Sequence, residues 1–271
     1  MAKPGIHNLN PTPKNNNSKV QEKDIVIAVK NAIETIKGKF PELNISHKTS
    51  RFTFAQQIKY INLTHNAKVS FNEKNENISV SPDGGIVFVE DKNGDDLIIL
   101  ISEAKNQGRY DGGTPCSDSD WAKKCKNNKK LDPNLPINER PYQANGNAVE
   151  RAFKNINTFE CMTTPYKYFP YVMFCDGFDF RTEDDFDLWK HQKQSSTTRK
   201  DSPIRYRLIT GNKYFELNKT YVLGENIGIQ KYFPASIFAR MQKWSIDDMT
   251  NVFVEVMESS IQHLKSLDKI K

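Results

Sequence analysis

The sequence predicts a single α/β domain with long loops or arms, and three observations carry that prediction. Apolar residues recur at helical spacing near both ends of the chain and once in the middle. Between them lie short runs of strand composition, one of which, LIILIS at 97–102, is apolar throughout and suits a central strand covered on both faces. No internal repeat and no linker separates two cores, and 271 residues suffice for one large core.

Residues 1–20 are rich in Asn, Pro and Lys with almost nothing to bury, and read as a flexible tail ahead of a domain at 21–271. EKDIVIAVKNAIETIKGKF places Ile25, Val29, Ala32, Ile33 and Ile36 on one helical stripe, and Pro41 follows its end. AKVSF (67–71), GIVFVE (85–90) and LIILIS read as strands. Asn93-Gly94 is a tight-turn signal that pairs the last two as an antiparallel hairpin. Residues 109–142 hold few aliphatics and a lysine cluster, KKCKNNKK, so they read as a loop or arm. A helix resumes at NAVERAFKNINTFECM, with Val149, Ala152, Phe153, Ile156 and Phe159 as its stripe. YVMFC (171–175) is a buried-type strand, 190–207 a basic arm and TYVLG (220–224) a further strand. The last helix opens at Ser245 as N-cap, with Asp247 and Asp248 in the first turn and Met249, Phe253, Val256 and Met257 inward.

Composition narrows the function classes. No apolar run approaches a membrane span, and MAKPGIHNLNPTPK lacks a signal-peptide core, which points to a cytoplasmic protein. Cys116, Cys125, Cys161 and Cys175 form no CxxC pair, so reduced thiols are expected rather than a zinc site. A net charge of +6 is compatible with a polyanionic partner without requiring one.

The charged ends of the hairpin carry the chemistry. Asp83 sits in Pro-Asp-Gly-Gly, where turn formation alone would justify it. Glu103 and Lys105 follow the apolar strand and alternate onto one face, beside the start of the neighbouring strand. Two carboxylates and an ammonium at one sheet end suit a magnesium ion, which prefers oxygen ligands and relieves the repulsion between acids. That arrangement can hydrolyse a phosphodiester, with lysine steadying water or phosphate.

Pro82-Asp83, nineteen residues, then Glu103-Ala104-Lys105 resembles the PD-(D/E)xK signature of a large nuclease superfamily. GNAVER, at 146–151, resembles the GNAxER motif of the EcoRI-type restriction endonucleases, the EcoRI/MunI-like family that reads AATT-centred palindromes. PDGGIV, the strand ending EAK, FPYVMF with its trailing DGF, and PASIFARMQKW are similar to family segments in the same order. The resemblance is strongest from about residue 80 to 180, patchier to about 230, and returns near 234.

The resemblance implies a PD-(D/E)xK nuclease domain: a central mixed β-sheet flanked by helices, with DNA-embracing arms at 109–142 and 190–207. It implies Mg2+ held by Asp83, Glu103 and the Ala104 carbonyl, with Lys105 orienting or activating water. Asn147, Ala148, Glu150 and Arg151 would read the inner AATT bases with Ala144 nearby, and Arg205 and Arg207 would supply a second cluster of base-reading arginines. Side-chain chemistry agrees, since Arg donates two bonds to a purine edge, Glu accepts from amino groups and Asn pairs with adenine. Asn147 and Glu150 would equally serve as a near capping box. Lys123, Lys124, Lys126, Lys129 and Lys130 are either phosphate contacts or a solvated charge run. The family further implies a homodimer on palindromic double-stranded DNA, 5′-phosphate ends with four-base 5′ overhangs, a prokaryotic cytoplasm and a partner DNA methyltransferase. Two rivals stand beside it: a repair nuclease or junction resolvase of the same superfamily, and a sequence-specific DNA-binding protein that does not cut.

Overall fold

The computed structural model describes residues 16–70, 78–106, 118–128, 131–134, 136, 146–177, 180, 208–209, 211–213, 215–222, 225–227 and 230–271. The amino-terminal half holds α1 (Asn16–Lys39), β1 (Ile45–Lys48), β2 (Phe52–Thr53), α2 (Phe54–His65), β3 (Ser79–Val80), β4 (Gly85–Glu90) and β5 (Asp96–Asn106). The rest holds α3 (Asp118–Asn127), α4 (Gly146–Thr163), β6 (Tyr171–Asp176), β7 (Glu225–Ile227), β8 (Gln230–Tyr232), β9 (Ser236–Arg240) and α5 (Ile246–Ser266).

Five strands form the main sheet in the order β1-β4-β5-β6-β9. β1 and β5 run antiparallel to β4, whereas β6 and β9 continue parallel to β5, so the sheet is mixed. β5 is the central strand, buried from Leu97 to Ala104, and its stretch from Leu97 to Ile101 is apolar because a helical layer covers each face. The predicted stripe of α1 and the inward side chains Met249, Phe253, Val256 and Met257 of α5 pack over Val87, Leu97, Ile99, Val172 and Phe174. Tyr60 of α2 and Ala152, Ile156, Phe159 and Met162 of α4 cover the other face, over Ile86, Ile98, Ile101 and Met173.

The central strand starts before β6 does, which leaves the Ile98 peptide without a partner strand on that side. Tyrosine hydroxyls take its place: Tyr60 accepts from the Ile98 N–H at 2.9 Å, and Tyr168 donates to the Ile98 carbonyl. Buried backbone groups need such partners.

Several sequence expectations change. The first helix opens at Asn16, inside the segment read as tail. Residues 67–70 are coil rather than strand, because the Asn62 side chain binds both the N–H and the carbonyl of Val69, each at 2.8 Å, and so occupies groups a ladder needs. Phe71 lies outside the described residues. Residues 220–222 are coil too, since the Ser236 hydroxyl accepts from the Tyr221 N–H at 2.9 Å and donates to its carbonyl at 3.3 Å. The long loop at 109–142 contains α3, anchored by buried Trp121, whose Nε1–H donates to the Asp132 carbonyl at 2.9 Å. The remainder of that loop, apart from 128, 131–134 and 136, and the whole of 190–207 lie outside the described residues. The hairpin pairs as expected, with residues 91–95 as its loop and Gly94 at φ 85°, and the Ser245 cap accepts from the Asp248 N–H at 3.0 Å.

Candidate active site

The last antiparallel pair of the hairpin is Gly85 with Ser102, yet β5 runs on to Asn106. One edge of that overrun stays paired with β6, in the register Glu103 to Met173 and Lys105 to Cys175. Asp83 meets the other edge. Its Oδ2 accepts from the Ala104 N–H at 3.3 Å and from Lys105 Nζ at 2.8 Å, while its own N–H donates to Glu103 Oε2 at 3.3 Å. Lys105 also donates to Glu103 Oε1. Simple turn chemistry would spend the carboxylate on the amides of its own turn. Here it reaches across to the neighbouring strand instead.

The turn that delivers Asp83 depends on two glycines. A Cβ on Gly84 would lie 2.3 Å from Ser102 Oγ, and Gly85 holds φ at +88° with Lys48 backbone against it. The Gly84 N–H donates to the Ser102 carbonyl at 3.0 Å, and His47 Nε2 lies 2.9 Å from the Gly84 carbonyl. Burial and the nearby Lys30 charge lower the His47 pKa below its ordinary 6.5, so the ring is neutral at pH 7. A carbonyl only accepts, which places the imidazole proton on Nε2.

Charge and burial set the protonation of the site. The Glu103 side chain is 2% exposed, against 22% for Asp83 and 20% for Lys105. Burial, with the Asp83 charge adding to it and Lys105 opposing, pushes the Glu103 carboxyl up to about 7. Burial pulls the Lys105 ammonium down, but the two carboxylates outweigh it and hold its pKa above the ordinary lysine value. Lys105 is therefore a fixed cation at neutral pH.

Among the described residues, no group of three or more His, Cys, Asp or Glu converges on a metal position. The donor set is two carboxylates with backbone oxygen nearby, which fits magnesium better than zinc, since magnesium keeps waters and uses few protein ligands. In a strand, N–H and carbonyl of one residue point to the same side, so the Ala104 carbonyl shares the edge that its N–H presents to Asp83.

Asn147, Ala148, Glu150 and Arg151 fall in the first two turns of α4, whose start at Gly146 places Asn147 inside the helix rather than at its cap. Their side chains, and Ala144, Arg205 and Arg207 altogether, lie outside the described residues. Phe159, late in α4, packs 6.4 Å from Tyr171, the first residue of β6. Lys123 and Lys126 are exposed on α3, and the side chains of Lys124, Lys129 and Lys130 are not among those described. Two site neighbours escaped the sequence reading. His47 is one. The other is Tyr171, wholly buried, whose hydroxyl has no hydrogen-bond partner among the described residues and feels the charges of Glu103 and Asp83. Only strand pairing brings either residue near Asp83.

The sequence profile described as restriction endonuclease EcoRI matches residues 12–270. The chain belongs to the EcoRI restriction endonuclease family. Among curated relatives, the chain is 27% identical over 196 residues to the type II restriction enzyme RsrI of Cereibacter sphaeroides, covering 69% of this chain and 65% of that protein. It is 36% identical over 110 residues to the type II restriction enzyme EcoRI of Escherichia coli, covering 40% of this chain and 34% of that one. The matched part thus spans less than two thirds of each relative's length. The mixed sheet between two helical layers is consistent with a nuclease domain of the EcoRI family, and the described helices include none long and apolar enough to cross a membrane.

Proposed function

We propose that this chain is a type II restriction endonuclease that cuts both strands of duplex DNA at a palindrome with an AATT core. The observation that carries the reading is the convergence of Asp83, Glu103 and Lys105 where β5 overruns its hairpin partner. Asp83, Glu103 and the Ala104 carbonyl would hold Mg2+. When bound, that ion supplies charge neutralisation at the phosphate and a more acidic water. Lys105, held as an ammonium, donates N–H bonds that orient the attacking water or the phosphate, and does not remove a proton. Water oxygen bonds to phosphorus and gives up a proton to solvent, the bond to O3′ breaks, O3′ takes a proton from solvent, and the products are a 5′-phosphate and a 3′-hydroxyl.

Sequence reading is assigned to the amino-terminal turns of α4: Asn147, Ala148, Glu150 and Arg151 on the inner bases, with Ala144 adjacent and Arg205 and Arg207 contributing further contacts. A helix amino terminus directed at DNA also favours phosphate. A palindrome presents identical half-sites and calls for a two-fold dimer, each subunit cutting one strand. Cutting before AATT leaves four-base 5′ overhangs, and a methyltransferase of the same specificity protects the host DNA.

A plasmid of known sequence, digested with and without Mg2+ and with Asp83→Ala as control, tests this. Discrete cuts at AATT palindromes, lost in the variant and without Mg2+, are expected. Random nicking or structure-directed cutting would overturn the sequence-specific reading.

A further inference from the structure

We propose that His47, on the edge strand β1, is a positioning residue for the Asp83 carboxylate, acting through its Nε2–H bond to the Gly84 carbonyl; the inference rests on the metal-dependent reading above. β3 ends at Val80 and β4 begins at Gly85, so no strand pairing holds Asp83. Besides its own bonds to Glu103, Ala104 and Lys105, what holds it is the backbone that follows. The Gly84 N–H is tied to Ser102 of β5 at 3.0 Å, and the Gly84 carbonyl is tied to His47 at 2.9 Å. One side of the turn is thus pinned to the catalytic strand and the other to the edge of the sheet. A third bond, from the Gly85 N–H to the Pro82 carbonyl at 3.0 Å, closes the turn on itself.

The fit leaves little room for the turn to move. A Cβ on Gly85 would sit 2.5 Å from the Lys48 carbonyl oxygen and 2.9 Å from His47 Nε2, and one on Gly84 would sit 2.3 Å from Ser102 Oγ. β1 pairs His47 with Val87 and Lys48 with Ile86, so the register of the edge strand fixes where the imidazole meets the turn. Without the His47 bond, the Gly84–Gly85 peptide keeps only the Gly85 N–H bond to Pro82, and the turn loses its tie to the edge strand. The bonds of Asp83 to Ala104 and Lys105, 3.3 and 2.8 Å long, are then the first to loosen. Partners that orient metal-holding groups commonly contribute 10–100-fold to metal affinity or activity.

The test compares His47→Leu and His47→Gln in the full chain, since the Gln amide can reproduce an N–H donor near the Nε2 position. Mg2+ binding to the DNA-free protein is measured by titration calorimetry, together with the Mg2+ concentration for half-maximal cleavage. His47→Leu is expected to weaken both by about tenfold, with DNA affinity in chelator unchanged, and His47→Gln to restore both to within about threefold. If His47→Leu matches the wild type, or if Gln fails as badly as Leu while both fold, the positioning role is wrong. If the wild type itself neither binds Mg2+ nor requires it for cleavage, the metal-dependent reading fails, and the inference with it.

Discussion

Ile99 and Leu100, consecutive residues of β5, both face the α1–α5 layer. Val87 pairs with Leu100 and Phe88 with Ile98, so Ile99 is an extra residue in the ladder, a β-bulge. Its consequence appears from Glu103 onward. Strict alternation from Leu97 would put Glu103 and Lys105 beneath α1 and α5. The bulge shifts the phase by one, so Ile101 faces α4 and Ala104 faces α1. Glu103 and Lys105 therefore emerge on the side of α4, the helix that carries GNAVER. Because the backbone sets this phase, Ile99→Ala should cost about 2–5 kcal/mol of stability as a buried large-to-small change. Cleavage per folded molecule should be retained, as denaturant unfolding and active-site titration would show. Loss of cleavage in fully folded Ile99→Ala would mean that the side chain itself sets the phase.

Glu103→Gln separates cutting from binding. The change keeps the size of the buried side chain but removes one of two carboxylates at the proposed metal position. Cleavage should fall below detection while binding to an AATT duplex persists in a mobility-shift assay. Wild-type cutting by this variant would remove Glu103 from the active site.

Legibility in the sequence followed the kind of signal. α1, α4, α5, β4, β5 and β6 were readable because each carries a full apolar period or run, and the Asp83–Glu103–Lys105 set because it terminates two of those strands. β1, β2 and β3 run for two to four residues, too short for a periodicity to build up. α2 carries a capping box at Thr53 and Gln56 but buries Gln57 and Thr64 in place of aliphatics, so its stripe is hidden. AKVSF and TYVLG had strand composition and lost their ladder groups to Asn62 and Ser236, partners distant from composition. The bulge was equally invisible, since Ile99 and Leu100 look like any apolar pair. His47 needed the pairing of β1 with β4 before it could be placed beside Asp83.

Arg151 is the cleanest probe of base reading. A good bidentate contact to a base discriminates by about 1–3 kcal/mol. Arg151→Ala should therefore weaken binding to an AATT site by that amount and leave binding to a scrambled duplex nearly unchanged. Equal loss on both duplexes, accompanied by a shallower salt dependence, would assign Arg151 to phosphate instead.

The buried carboxylate gives the metal-free protein a pH dependence of definite sign. Glu103 titrates near 7 in the folded protein, against 4.5 ordinarily, because burial and then Asp83 disfavour its charge more than Lys105 favours it. Between those two values the folded state keeps a proton that the unfolded chain has released. Stability contributed by this group is therefore present below about pH 4.5, declines as pH rises to about 7, and stays lost above that. Other groups titrate over the same interval, so the informative quantity is the difference between wild type and Glu103→Gln in chelator. That difference should move against the wild type from pH 5 to pH 8, by an amount on the order of a few kcal/mol in chemical denaturation. Mg2+ should reverse the trend, since cation binding favours the charged carboxylate and gains strength as the proton leaves. A wild-type-to-variant difference that is flat with pH would mean that Glu103 is ionised throughout, and that Lys105 outweighs burial at this site.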